Sequence, residues 1–202
     1  MTTSPMVDVA VEGDLDEVVL RTVLASLGIE AGRVFGRRGK HQLKENVKRY
    51  NLAARYGRWV TLVDLNHDAE CAPPFVSSWL PDRHPNLQLR VAVRAIEAWL
   101  LADRAEIALF LGVPEQRIPA RPEEEPDPKA AVICIARRSR SRTIREDIVP
   151  RPDSAARQGP GYTTRLIEFT MRRWDPRRAA RRAPSLERTL SSLSRWKASS
   201  NE

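Results

Sequence analysis

Acidic and amide side chains follow two predicted strands of this chain, at the points where those strands end. Glu12 closes the first strand, and Asp16 comes four residues later, about one turn into the next helix. Asp64 closes the third strand, and Asn66 and Asp68 follow at alternate positions, which share a face in an extended segment. Oxygen ligands of this kind are those that Mg²⁺ and Mn²⁺ prefer, and a cation would offset the repulsion between clustered carboxylates. The spacing predicts a Mg²⁺ or Mn²⁺ site, provided that the two strands are neighbours.

A basic, glycine-containing loop follows the second predicted strand and carries Arg37, Arg38 and Lys40. Ligands of an open parallel sheet bind beyond the carboxyl ends of its strands, so this loop is expected to open onto the same edge as the acids. Arginine and lysine both bind phosphate groups, which makes the loop a candidate phosphate or nucleic-acid contact. The alternative is a solvated turn without a ligand.

Glu97 is a further candidate, because it stands between Ile96 and Ala98 in a segment whose other residues are largely apolar. One interpretation makes it an additional metal ligand. The other makes it a solvent-side partner of Arg94 three residues earlier, near the beginning of a helix.

The elements that must position these side chains alternate between strand and helix. Short apolar, β-branched runs predict strands at residues 6–11, 32–36, 59–63 and 87–93. Apolar residues at helical spacing predict helices near residues 14–27, 41–56, 75–80 and 94–111, the last as one continuous helix. This alternation predicts an α/β fold with a mainly parallel sheet of about four strands and flanking helices.

Helical segments without further strands make up the rest of the chain. They are predicted near residues 128–138, 143–149, 163–174 and 184–196, after an acidic, proline-rich segment that resembles a boundary loop. We expect a domain at residues 1–115 and a basic helical extension at residues 116–202, packed together as one compact unit.

Positive charge is concentrated in the last third of the chain. The net charge is +8, and residues 131–202 carry 17 Lys and Arg against 7 Asp and Glu, whereas residues 1–130 carry 17 against 19. A domain with one basic end is a candidate for binding a polyanion such as nucleic acid.

Cysteine usage and hydropathy give an expectation about the compartment. Cys71 and Cys134 form no C-x-x-C pair, which is typical of a reducing compartment, so a cytoplasmic location is expected. The sequence contains no apolar stretch of membrane length and does not begin with a secretory signal pattern, so no membrane association is expected.

Two short segments at the ends of the first and third strands resemble the TOPRIM domain of topoisomerases, bacterial primases and recombination proteins. They are residues 11–16 (VEGDLD) and 62–66 (LVDLN), and the Glu-Gly-x-x-acid form is most similar to the overcoming-lysogenization-defect nucleases. The strings at 96–103 (IEAWLLAD), 127–129 (DPK) and 159–162 (GPGY) resemble small stand-alone TOPRIM-like proteins, often encoded beside an ATPase in phage-defence gene pairs.

The resemblance implies a TOPRIM-like fold over residues 6–112 and roles for individual side chains. Glu12 would be a metal ligand or general acid–base, and Asp64 would be the first metal-binding aspartate of an Asp-x-Asp pair. Asp16 would be a second acidic ligand. Asn66 stands where the pattern has the second aspartate and offers an oxygen without a charge, and Asp68 adds a carboxylate two residues later.

Three functions remain open from the sequence. The first is a metal-dependent nuclease that hydrolyses phosphodiester bonds of DNA or RNA, with Glu12 and Asp64 as catalytic residues. Such a nuclease would fit a phage-defence effector that works with an ATPase partner. The second is a non-catalytic interaction module that docks an ATPase partner or nucleic acid through the basic region. The third, on Asp64, is phosphotransfer through an aspartyl-phosphate.

Overall fold

The computed structural model describes residues 6–199, which form two compact units. The first unit contains the chain up to Val93 together with the stretch from Ser185 onward, and the second contains Arg94–Pro184. These limits differ from the expected division at residues 115 and 116. The last helix of the chain belongs to the first unit, and the acidic, proline-rich segment lies inside the second, so neither marks a simple boundary between domains.

The first unit is built on a four-stranded parallel sheet. Its strands are β1 (Met6–Val11), β2 (Glu30–Gly36), β3 (Trp59–Asp64) and β4 (Leu87–Ala92), in the order β2-β1-β3-β4. Every residue of β3 is buried, as its run of apolar and β-branched residues predicts for a central strand. The prediction of an α/β fold with a parallel sheet of about four strands and flanking helices is confirmed.

Helices connect the strands of this unit: α1 (Asp14–Ser26), α2 (Lys40–Ala53) and α3 (Ala72–Trp79). Side chains from α2 and α3 pack with one face of the sheet in a single apolar cluster, whose aromatic members include Trp59, Phe75 and Trp79. Successive residues of a strand face opposite sides, so Val9 and Leu62, both fully buried, belong to the other face. Both faces of the sheet are therefore covered by packed side chains.

The second unit is helical, with α4 (Ile96–Ala102), α5 (Arg104–Leu111), α6 (Pro128–Ala136), α7 (Arg142–Ile148), α8 (Tyr162–Arg172) and α9 (Pro176–Ala180). Short 3₁₀ turns occur at Glu115–Arg117 and Pro122–Glu124. The prediction of one continuous helix at residues 94–111 is wrong, because the chain leaves helical geometry at Asp103 (φ −85°, ψ 63°). Its buried carboxylate accepts hydrogen bonds from Arg178 at 2.8 and 2.7 Å and from the Asp175 N–H at 3.0 Å.

The last helix, α10 (Pro184–Ala198), contacts elements of the first unit. The Lys197 ammonium donates to the carbonyls of Leu27 (2.8 Å) and Gly28 (3.1 Å), just beyond α1, where carbonyls lack helical partners. The Trp196 indole N–H donates to the Pro85 carbonyl at 3.2 Å. Within residues 6–199, no helix has the length and apolar character needed to cross a membrane.

Candidate functional site

The ends of β1 and β3 bring two acidic residues together across 52 positions of sequence. The strands pair in parallel, with Val9 beside Val60 and Ala10 beside Thr61, so both strands end at the same edge of the sheet. There the Asp64 N–H donates a hydrogen bond of 2.8 Å to Glu12 Oε1. Asp64 is 3% exposed and Glu12 is half-buried. The expectation that Glu12 and Asp64 meet at one sheet edge is confirmed.

The loop after β2 closes onto this same edge through backbone hydrogen bonds. The Arg37 N–H donates to the Val11 carbonyl at 2.9 Å, and the Gly39 N–H donates to the Glu12 carbonyl at 3.0 Å. Gly36 has φ +88°, and a Cβ there would lie 2.2 Å from the Val11 carbonyl oxygen. Only glycine fits so close an approach, and it lets the basic loop lie directly over the end of β1.

Lys40 extends from this loop to the end of β3. Its ammonium donates to the carbonyl of Asp64 and, at 3.3 Å, to that of Leu65, and forms a 2.6 Å ion pair with Asp68. It also lies 5.0 Å from the centroid of the Phe75 ring. Asp68, expected to supply a ligand carboxylate, is thus engaged by a lysine, and a positive charge of the protein itself stands at the strand end.

Two further predicted ligands lie beside these strand ends. Asp16 is in the first turn of α1 and is 8% exposed, and its Oδ2 would lie 3.3 Å from a Cβ at Gly13. The carboxylate of Asp16 is therefore turned back toward the residue that follows Glu12. Asn66 has a left-handed backbone (φ 51°), a conformation that asparagine tolerates better than most residues, and is half-buried.

The two arginines of the basic loop differ in their surroundings. Arg37 forms ion pairs with Glu17 at 3.2 Å and Asp14 at 3.9 Å, so its guanidinium is directed to the first turn of α1. Arg38 is exposed and forms no ion pair with any residue in the described range 6–199. Of the two, Arg38 is the one whose charge remains available to a phosphate group.

Glu97 lies in α4 of the second unit and is 1% exposed. The interpretation that places it on a solvent-facing side is wrong, because the side chain is buried. The Tyr162 hydroxyl donates to Glu97 Oε1 at 3.1 Å, and Oε2 has no hydrogen-bond partner within residues 6–199. Burial raises the pKa of Glu97, and the charge of Lys129 opposes that rise.

The sequence assigns no role to Tyr162 or Lys129, although both lie in the strings 127–129 and 159–162 that resemble those of stand-alone TOPRIM-like proteins. The segments 127–129 and 159–162 each contribute a residue that acts on Glu97, either by a hydrogen bond or through its charge. A signal was present in the polar residues of these strings, but nothing in their spacing shows that they meet at one carboxyl group.

Several arginines of the basic region are used within the second unit. Arg165 bridges Asp147 and Glu168, each at 2.7 Å, and Arg178 holds the buried carboxylate of Asp103. Their charge is largely balanced at short range, so the unpaired arginines of this region carry most of its attraction for a polyanion.

The fit of a divalent cation to the first site depends on few ligands. No group of three or more His, Cys, Asp or Glu side chains arranged to hold a metal occurs among residues 6–199. Mg²⁺ is commonly bound by one or two protein carboxylates, with water and substrate phosphates completing its coordination. Glu12 and Asp64 supply one carboxylate each at the ends of neighbouring strands, which matches that mode by the chemistry of the oxygen donors, and the hydrogen bond between them joins the Asp64 backbone N–H to the Glu12 carboxylate.

Comparison with known proteins adds no relative to this picture: no protein-family model, curated protein or solved structure matches the chain. The class that the fold defines is an α/β protein with a four-stranded parallel sheet and a helical second unit. Its function has to be argued from the chemistry of its own side chains.

Proposed function

We propose that the first unit is a TOPRIM-like domain and that the protein is a metal-dependent nuclease. The observation that supports this proposal is the hydrogen bond from the Asp64 N–H to Glu12 Oε1, which joins the acidic ends of β1 and β3. Glu12 and Asp64 stand at the ends of neighbouring strands, and a divalent cation would offset the repulsion between carboxylates at one sheet edge.

Glu12 and Asp64 would hold Mg²⁺ or Mn²⁺, with Asp16 as a nearby carboxylate and Asn66 as a source of a carbonyl oxygen. When bound, such a cation polarises a phosphoryl oxygen and lowers the pKa of a coordinated water. The Asp64 N–H fixes the direction of the Glu12 carboxylate. Arg38, which has no ion-pair partner within residues 6–199, contacts the phosphate backbone of the substrate.

The test is a nuclease assay on labelled single- and double-stranded DNA and RNA with Mg²⁺ or Mn²⁺. We expect metal-dependent cleavage by the wild-type chain, and loss of cleavage in Glu12→Gln and in Asp64→Asn. Glu45→Gln is the matched control, because it removes one exposed carboxylate of the same unit, away from the sheet edge. Cleavage that persists in Glu12→Gln and Asp64→Asn overturns the proposal.

A second candidate is a non-catalytic module that docks an ATPase partner or nucleic acid. The Lys40 ammonium favours it, since it binds Asp68 and the Asp64 carbonyl and so provides a permanent cation at the strand ends. A module of this kind binds no Mn²⁺ in calorimetry and forms a stable complex with an ATPase encoded beside it. The nuclease proposal requires Mn²⁺ binding, so the same titration separates the two candidates.

A further inference from the structure

A cavity of about 630 Å³ lies along the outer edge of β4 in the first unit. Its walls come from α3, β4 and the beginning of α10, and they include the apolar side chains of Val76, Leu89 and Val91. The volume is within the range of small-molecule sites, about 300–1,000 Å³. The cavity shares no lining residue with the edge formed by Glu12 and Asp64.

Three arginines, Arg83, Arg90 and Arg188, also line this cavity. None of them forms an ion pair with a carboxylate in the part of the chain that the structure describes, residues 6–199. Arg90 is half-buried, and its Nε donates to the Leu89 carbonyl at 3.1 Å. Glu70 also lines the cavity, but it is exposed and, within residues 6–199, forms no ion pair with any of these three arginines.

The electrostatic environment of Arg90 is unfavourable to its own charge. Burial, followed by the charges of Arg83 and Arg195, lowers the pKa of Arg90 to about 10. A cation held among like charges in a partly buried position costs free energy unless an anion accompanies it. The cavity is therefore poised to accept negative charge.

The edge of β4 is already used at two points, which argues against an added peptide strand as the occupant. The Ala92 carbonyl faces β3, where it accepts from the Leu65 N–H, so Leu89 and Val93 direct their backbone groups outward. The Leu89 carbonyl accepts from Arg90, and the Val93 N–H donates to Ser185 Oγ at 3.2 Å. A compact ligand fits this edge better than an extended chain does.

We propose that this cavity binds a small organic phosphate of about mononucleotide size. Its phosphoryl group is held by Arg83, Arg90 and Arg188, whose planar guanidinium groups donate paired hydrogen bonds to phosphate oxygens. Its uncharged part lies against the apolar wall. This site goes beyond the nuclease proposal, since it uses neither Glu12 nor Asp64.

The experiment is isothermal titration of the full chain with adenosine monophosphate, inorganic phosphate and adenosine as separate probes. We expect adenosine monophosphate to bind more tightly than inorganic phosphate, and adenosine not to bind. Arg90→Gln and the double variant Arg83→Gln/Arg188→Gln should each weaken adenosine monophosphate binding at least about tenfold. Arg55→Gln, which removes an exposed arginine of the same unit outside the cavity, should leave it unchanged.

The double variant keeps the test valid if Arg90→Gln fails to fold, because Arg83 and Arg188 are both exposed. Asp64→Asn should bind adenosine monophosphate as the wild-type chain does, so a failure of the nuclease proposal leaves this result untouched. Absence of adenosine monophosphate binding, or equal binding by the double variant, overturns the inference. Binding of a single-stranded oligonucleotide without binding of the mononucleotide also overturns it.

Discussion

Replacement of Glu97 by glutamine tests the buried carboxyl group of the second unit. Glu97 is 1% exposed, its Oε1 accepts from the Tyr162 hydroxyl at 3.1 Å, and its Oε2 has no hydrogen-bond partner within residues 6–199. Burial raises the pKa of Glu97, against the opposing charge of Lys129. Glutamine has nearly the same shape without the charge, so Glu97→Gln preserves the packing and removes the titration.

The raised pKa determines how stability depends on pH. The ordinary pKa of the group is 4.5, and the folded state holds its proton more tightly than the unfolded state does. The resulting stabilisation is complete below the unfolded pKa and is lost as the pH rises through the folded pKa. In that window the free energy of unfolding changes by up to about 1.4 kcal/mol per pH unit. The wild-type chain should therefore lose stability relative to Glu97→Gln as the pH rises.

Urea unfolding followed by circular dichroism between about pH 5 and pH 9 measures this difference. Tyr162→Phe is the informative companion, because the Tyr162 hydroxyl stabilises the charged carboxylate. Its removal should raise the pKa of Glu97 further and extend the loss of stability to higher pH. A difference between Glu97→Gln and wild type that stays constant over the whole range would refute the reasoning.

Three further predictions concern the fold and the basic loop. Asp103→Ala should lower the free energy of unfolding by about 1.5–3 kcal/mol, because it removes the buried carboxylate that accepts hydrogen bonds from Arg178 and from the Asp175 N–H, whereas the partly exposed Arg178 guanidinium is rehydrated; urea unfolding checks this, and a loss below about 1 kcal/mol, roughly the value of a surface pair, contradicts it. Gly36→Ala should cost about 1–3 kcal/mol or more, since Gly36 has φ +88° and an added Cβ meets the Val11 carbonyl; an unchanged melting temperature would exclude that strain. Arg38→Gln should reduce the salt dependence of oligonucleotide binding by about one phosphate contact without changing the melting temperature, and an unchanged salt slope would remove Arg38 from the interface.

The sheet and the meeting of Glu12 with Asp64 could be predicted from sequence. Short β-branched runs define the strands, and strand–helix alternation predicts that they are parallel, so acids at the strand ends are expected at one edge of the sheet. That β1 and β3 are neighbours was a condition of the prediction, which the strand order fulfils. The break at Asp103 could not be predicted in the same way. The buried Asp103 carboxylate is held by Arg178, which lies 75 positions later in the chain, and no local pattern indicates such a contact.

The ion pair between Lys40 and Asp68 could not be predicted from the sequence either. Asp68 is spaced correctly for a ligand, but Lys40 reaches it only because the loop after β2 folds over the end of β1. The return of α10 to the first unit depends in the same way on contacts between distant residues, such as that of Lys197 with the Leu27 carbonyl. Charge counts along the sequence do not distinguish basic side chains that bind groups of the protein itself from those that remain free to bind a ligand.

Calorimetric titration of Mn²⁺ into the full chain tests most directly whether the ends of β1 and β3 form a cation site. The account predicts saturable binding by the wild-type chain and by Glu45→Gln, and loss of that binding in Glu12→Gln and Asp64→Asn. No binding by the wild-type chain, or equal binding by all four proteins, would contradict it.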